Sequence, residues 1–236
     1  MRGLWADLTD LVLPADCAGC RERRSGLRHG VCPSCVTALS ALRPGPVRPT
    51  PVPAGLPPCV ALGPYAGPLR EALLAYKDHG RHGLARPLGG LLAEVVAAAV
   101  RDGSRPVALV PVPDTAAAAR VRYGDHLGRL ARHCAARLRH SGWSVRVHRP
   151  LRALPRPDSV TLDSAGRAAA AQAAFRPRSA APVGAGPAGV APVVVLLDDI
   201  VTTGVTLAAA ARVLGATGSA PSVAAVLAAT EKRLRS

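Results

Sequence analysis

Aromatic side chains are nearly absent from this 236-residue chain, which has one Phe, three Tyr and two Trp. A core without aromatics must be filled by Ala, Val and Leu, side chains that pack closely between helices and a sheet. The 49% hydrophobic content suffices for one domain of ordinary size plus a small appendage. The same shortage argues against an extended base-stacking platform for single-stranded nucleic acid. Lysine is rarer still, occurring only at Lys77 and Lys232, so nearly all of the 30 basic residues are Arg. Acids number 15, half as many, which leaves a net charge of +15. That excess implies an electropositive surface suited to phosphates, either a small polyphosphate or a nucleic-acid backbone; a basic face that is merely solvated is the competing reading.

No stretch approaches 18 uninterrupted apolar residues, and the start, MRGLWADLTDLVLPADC, carries Asp7 and Asp10 inside its only apolar portion. Neither a membrane span nor a signal-peptide core is predicted, and the expected compartment is the cytoplasm. There is also no G-x-x-x-x-G-K-[ST] loop and no G-x-G-x-x-G after a strand, so two common nucleotide-binding designs fit poorly.

Six cysteines are present, and in a reducing compartment they are metal ligands or buried thiols rather than disulfides. Cys17-x2-Cys20 and Cys32-x2-Cys35 form two knuckles eleven residues apart, able to bring four thiolates around one tetrahedral Zn²⁺. Gly19, Gly30 and Pro33 supply the tight turns. The few apolar residues between the knuckles make folding of this stretch dependent on metal. A redox dithiol is the competing reading, though one CxxC would suggest it more strongly than two. Cys59 and Cys134 stand alone and are expected to be buried small hydrophobes.

Residues 1–42 are read as a short amphipathic helix (Leu4, Leu8, Leu11, Val12) followed by this cysteine module. Residues 43–58, RPGPVRPTPVPAGLPP, hold Pro at seven positions and form a stiff linker. Over 59–236 strands and helices alternate: an edge strand at 59–62, helices at 68–76 and 84–101, a strand at 107–110, a helix at 125–140 and a strand at 144–148. A loop at 150–163, a helix at 165–174 and a Gly/Pro-rich connector at 177–192 follow. The last unit is strand 193–197, helix 204–214 and strand 223–228. Continuous apolar strands alternating with helices predict an α/β fold with a mostly parallel sheet covered on both faces.

In such a sheet, ligands bind beyond the carboxyl ends of the strands. The segment VVVLLDDIVTTGVTL, 193–207, places Asp198 and Asp199 at such an end. Adjacent carboxylates can accept hydrogen bonds from a vicinal diol. Behind them Thr202, Thr203, Gly204, Val205 and Thr206 open a helix, whose free N–H groups and positive dipole end attract an anion. Helix capping is the bland alternative, but it needs one such residue and this stretch supplies several. A ribose bearing a 5′-phosphate fits both halves.

An apolar strand, Asp198-Asp199, two residues, then Thr202-Thr203-Gly204-x-Thr206 resembles the phosphoribosyl-pyrophosphate (PRPP) motif of type I phosphoribosyltransferases. The resemblance implies that family's doubly wound fold and a transfer of pentosyl groups, with Asp198 and Asp199 holding the ribose hydroxyls and 202–206 cradling the 5′-phosphate. It also implies Mg²⁺ bound with the PRPP. Joined to an N-terminal four-cysteine zinc module, the whole chain is similar to the ComF family of competence proteins. LTDLVLPADCAGC resembles that family's opening, AYKDHGR (with Lys77) its lysine-tyrosine-glycine segment, and LVPVP (with Pro111 and Val112) its pyrophosphate-facing loop. The family's Arg-Gly-Phe-Asn-Gln segment appears here as Arg120, Arg122, Tyr123, Gly124, Asp125 and His126: the arginines remain and the amides do not. Asp158-Ser159 stands where a Gln is usual and Ala170 where an Asn is usual. Arg120 and Arg122 are then candidates to neutralise pyrophosphate or a nucleic-acid phosphate. The implied partners are PRPP or a related sugar phosphate. Single-stranded DNA and competence or recombination proteins are the alternative set, belonging to a non-enzymatic DNA-binding accessory.

Overall fold

The computed structural model describes residues 15–121, 124–155, 174–179, 182–184 and 190–230. The helix expected from Leu4 to Val12 and nearly all of the one expected at 165–174 lie outside these residues.

Six strands form one sheet, in the order Gly45–Val47, Cys59–Pro64, Val223–Ala229, Val193–Val201, Val107–Pro111, Val145–Val147. All pairings are parallel except the first. The two central strands are aliphatic along most of their buried length, as strands covered on both faces must be: every residue of Val223–Ala229 is buried, and Val193–Val201 departs from the pattern only at its two aspartates. Alanine fills four of those seven positions and lets flanking helices approach closely.

Chain direction across the sheet reverses between Val107–Pro111 and Val193–Val201. From the former, helix His126–His140 leads outward to Val145–Val147; from the latter, helix Val205–Ala216 leads the other way to Val223–Ala229. Right-handed crossovers therefore put these two helices on opposite faces, with a crevice at the reversal point. Helix Ala85–Val100 packs beside His126–His140. The crossing is at Gly89, where an added Cβ would lie 2.5 Å from the His133 Cβ and 3.0 Å from the Leu130 carbonyl oxygen. The stretch His82–Val100 is long and apolar enough to cross a membrane by length and composition, yet its apolar stripe, Leu88, Leu92, Val95 and Val96, is buried in this core.

Several sequence expectations change. Cys59–Pro64 is not the sheet's edge, because the linker contributes Gly45–Val47 outside it, with Pro46 opposite Val60. An edge position tolerates a residue that cannot donate to the ladder. The strand expected at 193–197 continues to Val201, so the two aspartates sit within it, Asp198 opposite Val226. The expected loop at 150–163 instead opens with a short strand, Leu151–Ala153, paired antiparallel with Phe175–Pro177 in a separate two-stranded ribbon, and a short helix, Ala116–Val121, forms where none is expected. The other strands and helices expected in the described part of 59–236 agree within a few positions, and Cys59 and Cys134 are buried as expected.

The sulfur cluster docks on the same core. A two-residue ribbon, Ala15–Asp16 with Arg23–Arg24, carries the first knuckle, and the second opens helix Pro33–Ser40 with Pro33 in its first turn. Because Gly89 admits no side chain without displacing backbone, Gly89→Val should destabilise the protein by about 2–3 kcal/mol despite valine's burial. A shift of the denaturant midpoint to lower concentration at unchanged slope checks this.

Candidate functional site

The crevice at the reversal point is a cavity of about 680 Å³. Its floor is made by the ends of two neighbouring strands, with Val112 to Ala118 on one side and Asp198 to Ile200 with Thr206 on the other. A larger cavity of about 850 Å³ lies between the linker and the opposite ends of the strands, but apart from Arg48 and Arg101 its lining holds no charged group among the described residues. The chemistry is concentrated in the crevice.

Asp199 is its most constrained group. The carboxylate is 5% exposed and receives two cationic partners: Lys77 Nζ at 2.7 Å and His126 Nε2 at 3.2 Å. The other ring nitrogen of His126, Nδ1, lies 2.8 Å from Asp114 Oδ2. The imidazole is thus held between two carboxylates. Burial works against its charge, but the two acids outweigh burial and hold the imidazole protonated up to about 9. Burial likewise opposes ionisation of Asp199, and here the histidine and lysine win, keeping its carboxyl well below the usual range. Asp198 takes the opposite course. Its burial and the neighbouring Asp199 charge push it up to about 8, and its Oδ1 accepts from the Asp199 amide at 2.9 Å. Two adjacent acids are thereby set apart: one paired and ionised well below the usual carboxylate range, the other shifted up toward neutrality.

Helix Gly67–Lys77 delivers part of this arrangement twice. Lys77 at its end reaches Asp199, and the neighbouring Tyr76, 1% exposed, donates its hydroxyl to the His126 carbonyl at 2.7 Å. Asp125 caps the helix that begins at His126 by accepting from the Gly128 amide at 2.7 Å.

The threonine loop lies beside the acids. Gly204 is left-handed (φ 74°) and precedes a helix that has no side-chain cap. A Cβ there would meet Leu56 and Pro49 of the linker at 3.1 and 3.2 Å, so the conformation calls for glycine and the space beside it is tight. Thr202 and Thr203 are exposed, while Val205 and Thr206 are partly covered. Thr206 faces the crevice, whereas Thr202 lines a neighbouring cavity with Arg48, Pro51 and Thr230. Pro111 ends its strand, Val112 lines the crevice, and Arg120 stands on its rim. Arg122 lies outside the described residues.

Asp114 and His126 were not singled out from the sequence, although each left a trace. Asp114 follows an all-apolar strand at its carboxyl end, as Asp198 does. His126 begins the buried stripe that continues through Leu130, Cys134 and Leu138 at four-residue spacing.

The second centre is the cysteine cluster. All four sulfurs lie within 4.8 Å of one another, and Cys20 Sγ is 3.9 Å from Cys32 Sγ. A tetrahedron of about 2.3 Å Zn–S bonds has edges of roughly 3.8 Å, so the spacing fits. The amides of Gly19 and Cys32 donate to Cys17 Sγ at 3.3 and 3.2 Å, which suits a thiolate. An added Cβ on Gly19 would lie 2.8 Å from Cys35 Sγ. The Ser34 hydroxyl brings the Cys32 thiol down to about 6, while burial pushes Cys35 up; a divalent cation would remove that conflict. These four cysteines can hold a metal ion such as zinc.

The chain matches no protein-family model, and no curated protein matches it.

His126 gains its charge on folding, so its contribution is complete below the ordinary value of 6.5 and is lost as pH rises through about 9. Asp198, protonated up to about 8, acts in the same direction. Between these limits His126 alone should lower the unfolding free energy by about 3 kcal/mol, with Asp198 adding to the fall up to its own titration, and imidazole NMR of His126 should report the late titration directly. Cys35→Ser should cost the protein its bound zinc, as read by metal analysis after dialysis, with the loss of far-ultraviolet signal confined to the N-terminal module.

Proposed function

We propose that this chain is a ComF-like, type I phosphoribosyltransferase-type protein whose crevice binds PRPP, or a related ribose 5-phosphate, with Mg²⁺. The observation that carries the reading is the placement of two unequal carboxylates and Thr206 around one cavity at the sheet's reversal point. Its volume, about 680 Å³, suits a sugar phosphate of this size.

In this reading Asp198 and Asp199 orient the ribose hydroxyls, and the uncapped helix start with Gly204 and Thr206 receives the 5′-phosphate. Lys77 and Arg120 supply positive charge to the diphosphate from the side of the Pro111–Val112 loop. Mg²⁺, when bound with the diphosphate, neutralises the leaving group. Transfer breaks the bond between the anomeric carbon and the diphosphate oxygen, which departs with the electron pair, and joins that carbon to the acceptor's nucleophile. The fixed negative charge of Asp199 and the ionised form of Asp198 favour the positive charge that develops on the sugar in between.

A second reading, a non-enzymatic binder of single-stranded DNA, draws on a different observation. The outward face of helix His126–His140 exposes Arg132, Arg137 and Arg139 with His133 and His140. Binding there would rest on phosphates and weaken steeply with salt.

Calorimetry separates the two. Saturable uptake of PRPP with Mg²⁺ by the purified protein is expected, reduced at least about 100-fold in Asp198→Asn/Asp199→Asn, because the charged acceptor at Asp199 and the ionisable acceptor at Asp198 are both lost. Absence of heat with PRPP, together with salt-sensitive oligonucleotide binding, would overturn the first reading in favour of the second.

A further inference from the structure

Helix Gly67–Lys77, which brings Lys77 and Tyr76 to the crevice, is fastened to the cysteine module at both ends. Near its start Glu71 pairs with Arg21 at 2.5 Å, and Pro68 lies 3.4 Å from the position a Cβ on Gly19 would occupy, beside Cys35. Just beyond its last turn, the Arg81 guanidinium donates to two carbonyls of the module: Asp16 at 2.7 Å through Nη1 and Gly30 at 3.4 Å through Nη2. Asp16 precedes Cys17 and Gly30 lies two residues before Cys32, so the carbonyls Arg81 grips belong to the two arms that carry the sulfurs. Gly30 is left-handed (φ 76°), and a Cβ there would come within 2.7 Å of Arg81 Nη2, so the arm is shaped to let the guanidinium in. Only three residues separate Arg81 from Lys77.

We infer that the cysteine module is a positioning element of the crevice, holding Lys77 on Asp199 through Arg81 and the start of helix Gly67–Lys77. The inference rests on the proposed sugar-phosphate reading for its functional consequence, not for its geometry. A small module with few apolar residues needs its metal to hold the two arms in register. Arg81 reads that register by forking across both arms. Loss of the metal would therefore free the segment carrying Lys77, and the occupancy of the sulfur cluster becomes a control on how tightly the crevice takes an anionic ligand. Arg81 is thus a positioning residue: it lies on the module's side and touches neither Asp198 nor Asp199.

Arg81→Lys tests this, because lysine keeps the charge but cannot bridge two carbonyls with one planar fork. Metal analysis should show zinc retained. Affinity for PRPP with Mg²⁺ should fall roughly tenfold, the size expected of coupled neighbours, and Arg81→Lys added to Lys77→Ala should cost nothing further. Chelating the metal from the unsubstituted protein should produce the same loss, whereas Arg86→Ala, an exposed arginine on another helix, should bind normally. A readout without ligand accompanies these. When Lys77 leaves Asp199, the His126 imidazole faces one cation fewer, so its NMR titration midpoint should move upward in Arg81→Lys as it does in Lys77→Ala. Unchanged affinity and an unmoved His126 in zinc-loaded Arg81→Lys would overturn the inference, as would strictly additive losses in the double variant. If the unsubstituted protein takes up no sugar phosphate, the reading of the crevice fails, and the His126 titration alone then decides the inference.

Discussion

A buried carboxylate must be paired, and the pairing of Asp199 is the constraint around which the crevice is built. Left alone at 5% exposure its charge would cost several kcal/mol. Lys77 and His126 remove that cost, but they come from two different helices, 122 and 73 residues away in sequence. Each then needs its own anchor. Tyr76 ties the start of the histidine's helix to the lysine's helix, Asp114 takes the second ring nitrogen, and Asp125 caps the turn between. The elements converge because the charge has to be met. Breaking either contact would leave Asp199 with a single cation and loosen the junction of both helices with the sheet.

How much of this was legible in the sequence follows from the range of the interactions. Val193–Leu197, Val107–Val110 and Val223–Ala229 are runs of aliphatic side chains, nearly all buried, and their alternation with amphipathic helices specifies a parallel sheet from local pattern alone. Asp198, Asp199 and the threonine loop were legible because acid and hydroxyl residues at the end of such a run have little structural reason to be there. The four cysteines were legible from spacing. His126 and Asp114 were not, since their meaning depends on a contact made across the sheet. The strand's extension through the aspartates was hidden for a related reason. Two acids break the apolar pattern, yet Asp198 pairs with Val226 through its backbone, which ladder bonding permits whatever the side chain.

The linker illustrates the same limit from the other side. Its prolines exclude a central strand, and the chain obeys that rule while still using Gly45–Val47 as an edge. Leu56 and Pro49 then pack against Gly204, so a segment that reads as a spacer becomes one wall of the threonine loop. The connection is therefore not a free tether: it closes the sheet's exposed edge and at the same time restricts the residue that precedes the helix Val205–Ala216.

The scarcity of aromatic residues acquires a physical sense in this setting. Close approach of helix Ala85–Val100 to His126–His140 at Gly89, and of alanine-rich strands to their covering helices, makes a thin core in which small shifts of one helix are passed to the next. Charge in the crevice is sensitive to such shifts. Counting Asp114 and Asp199 as negative, Lys77, His126 and Arg120 as positive, and Asp198 as protonated leaves the lining with a single excess positive charge, which favours an anion. A cation arriving beside Asp198 would lower that acid's proton affinity and draw out its charge. The unequal pair can thus accept an anionic ligand first and supply negative charge afterwards, a sequence that two equally ionised aspartates in the same place could not provide.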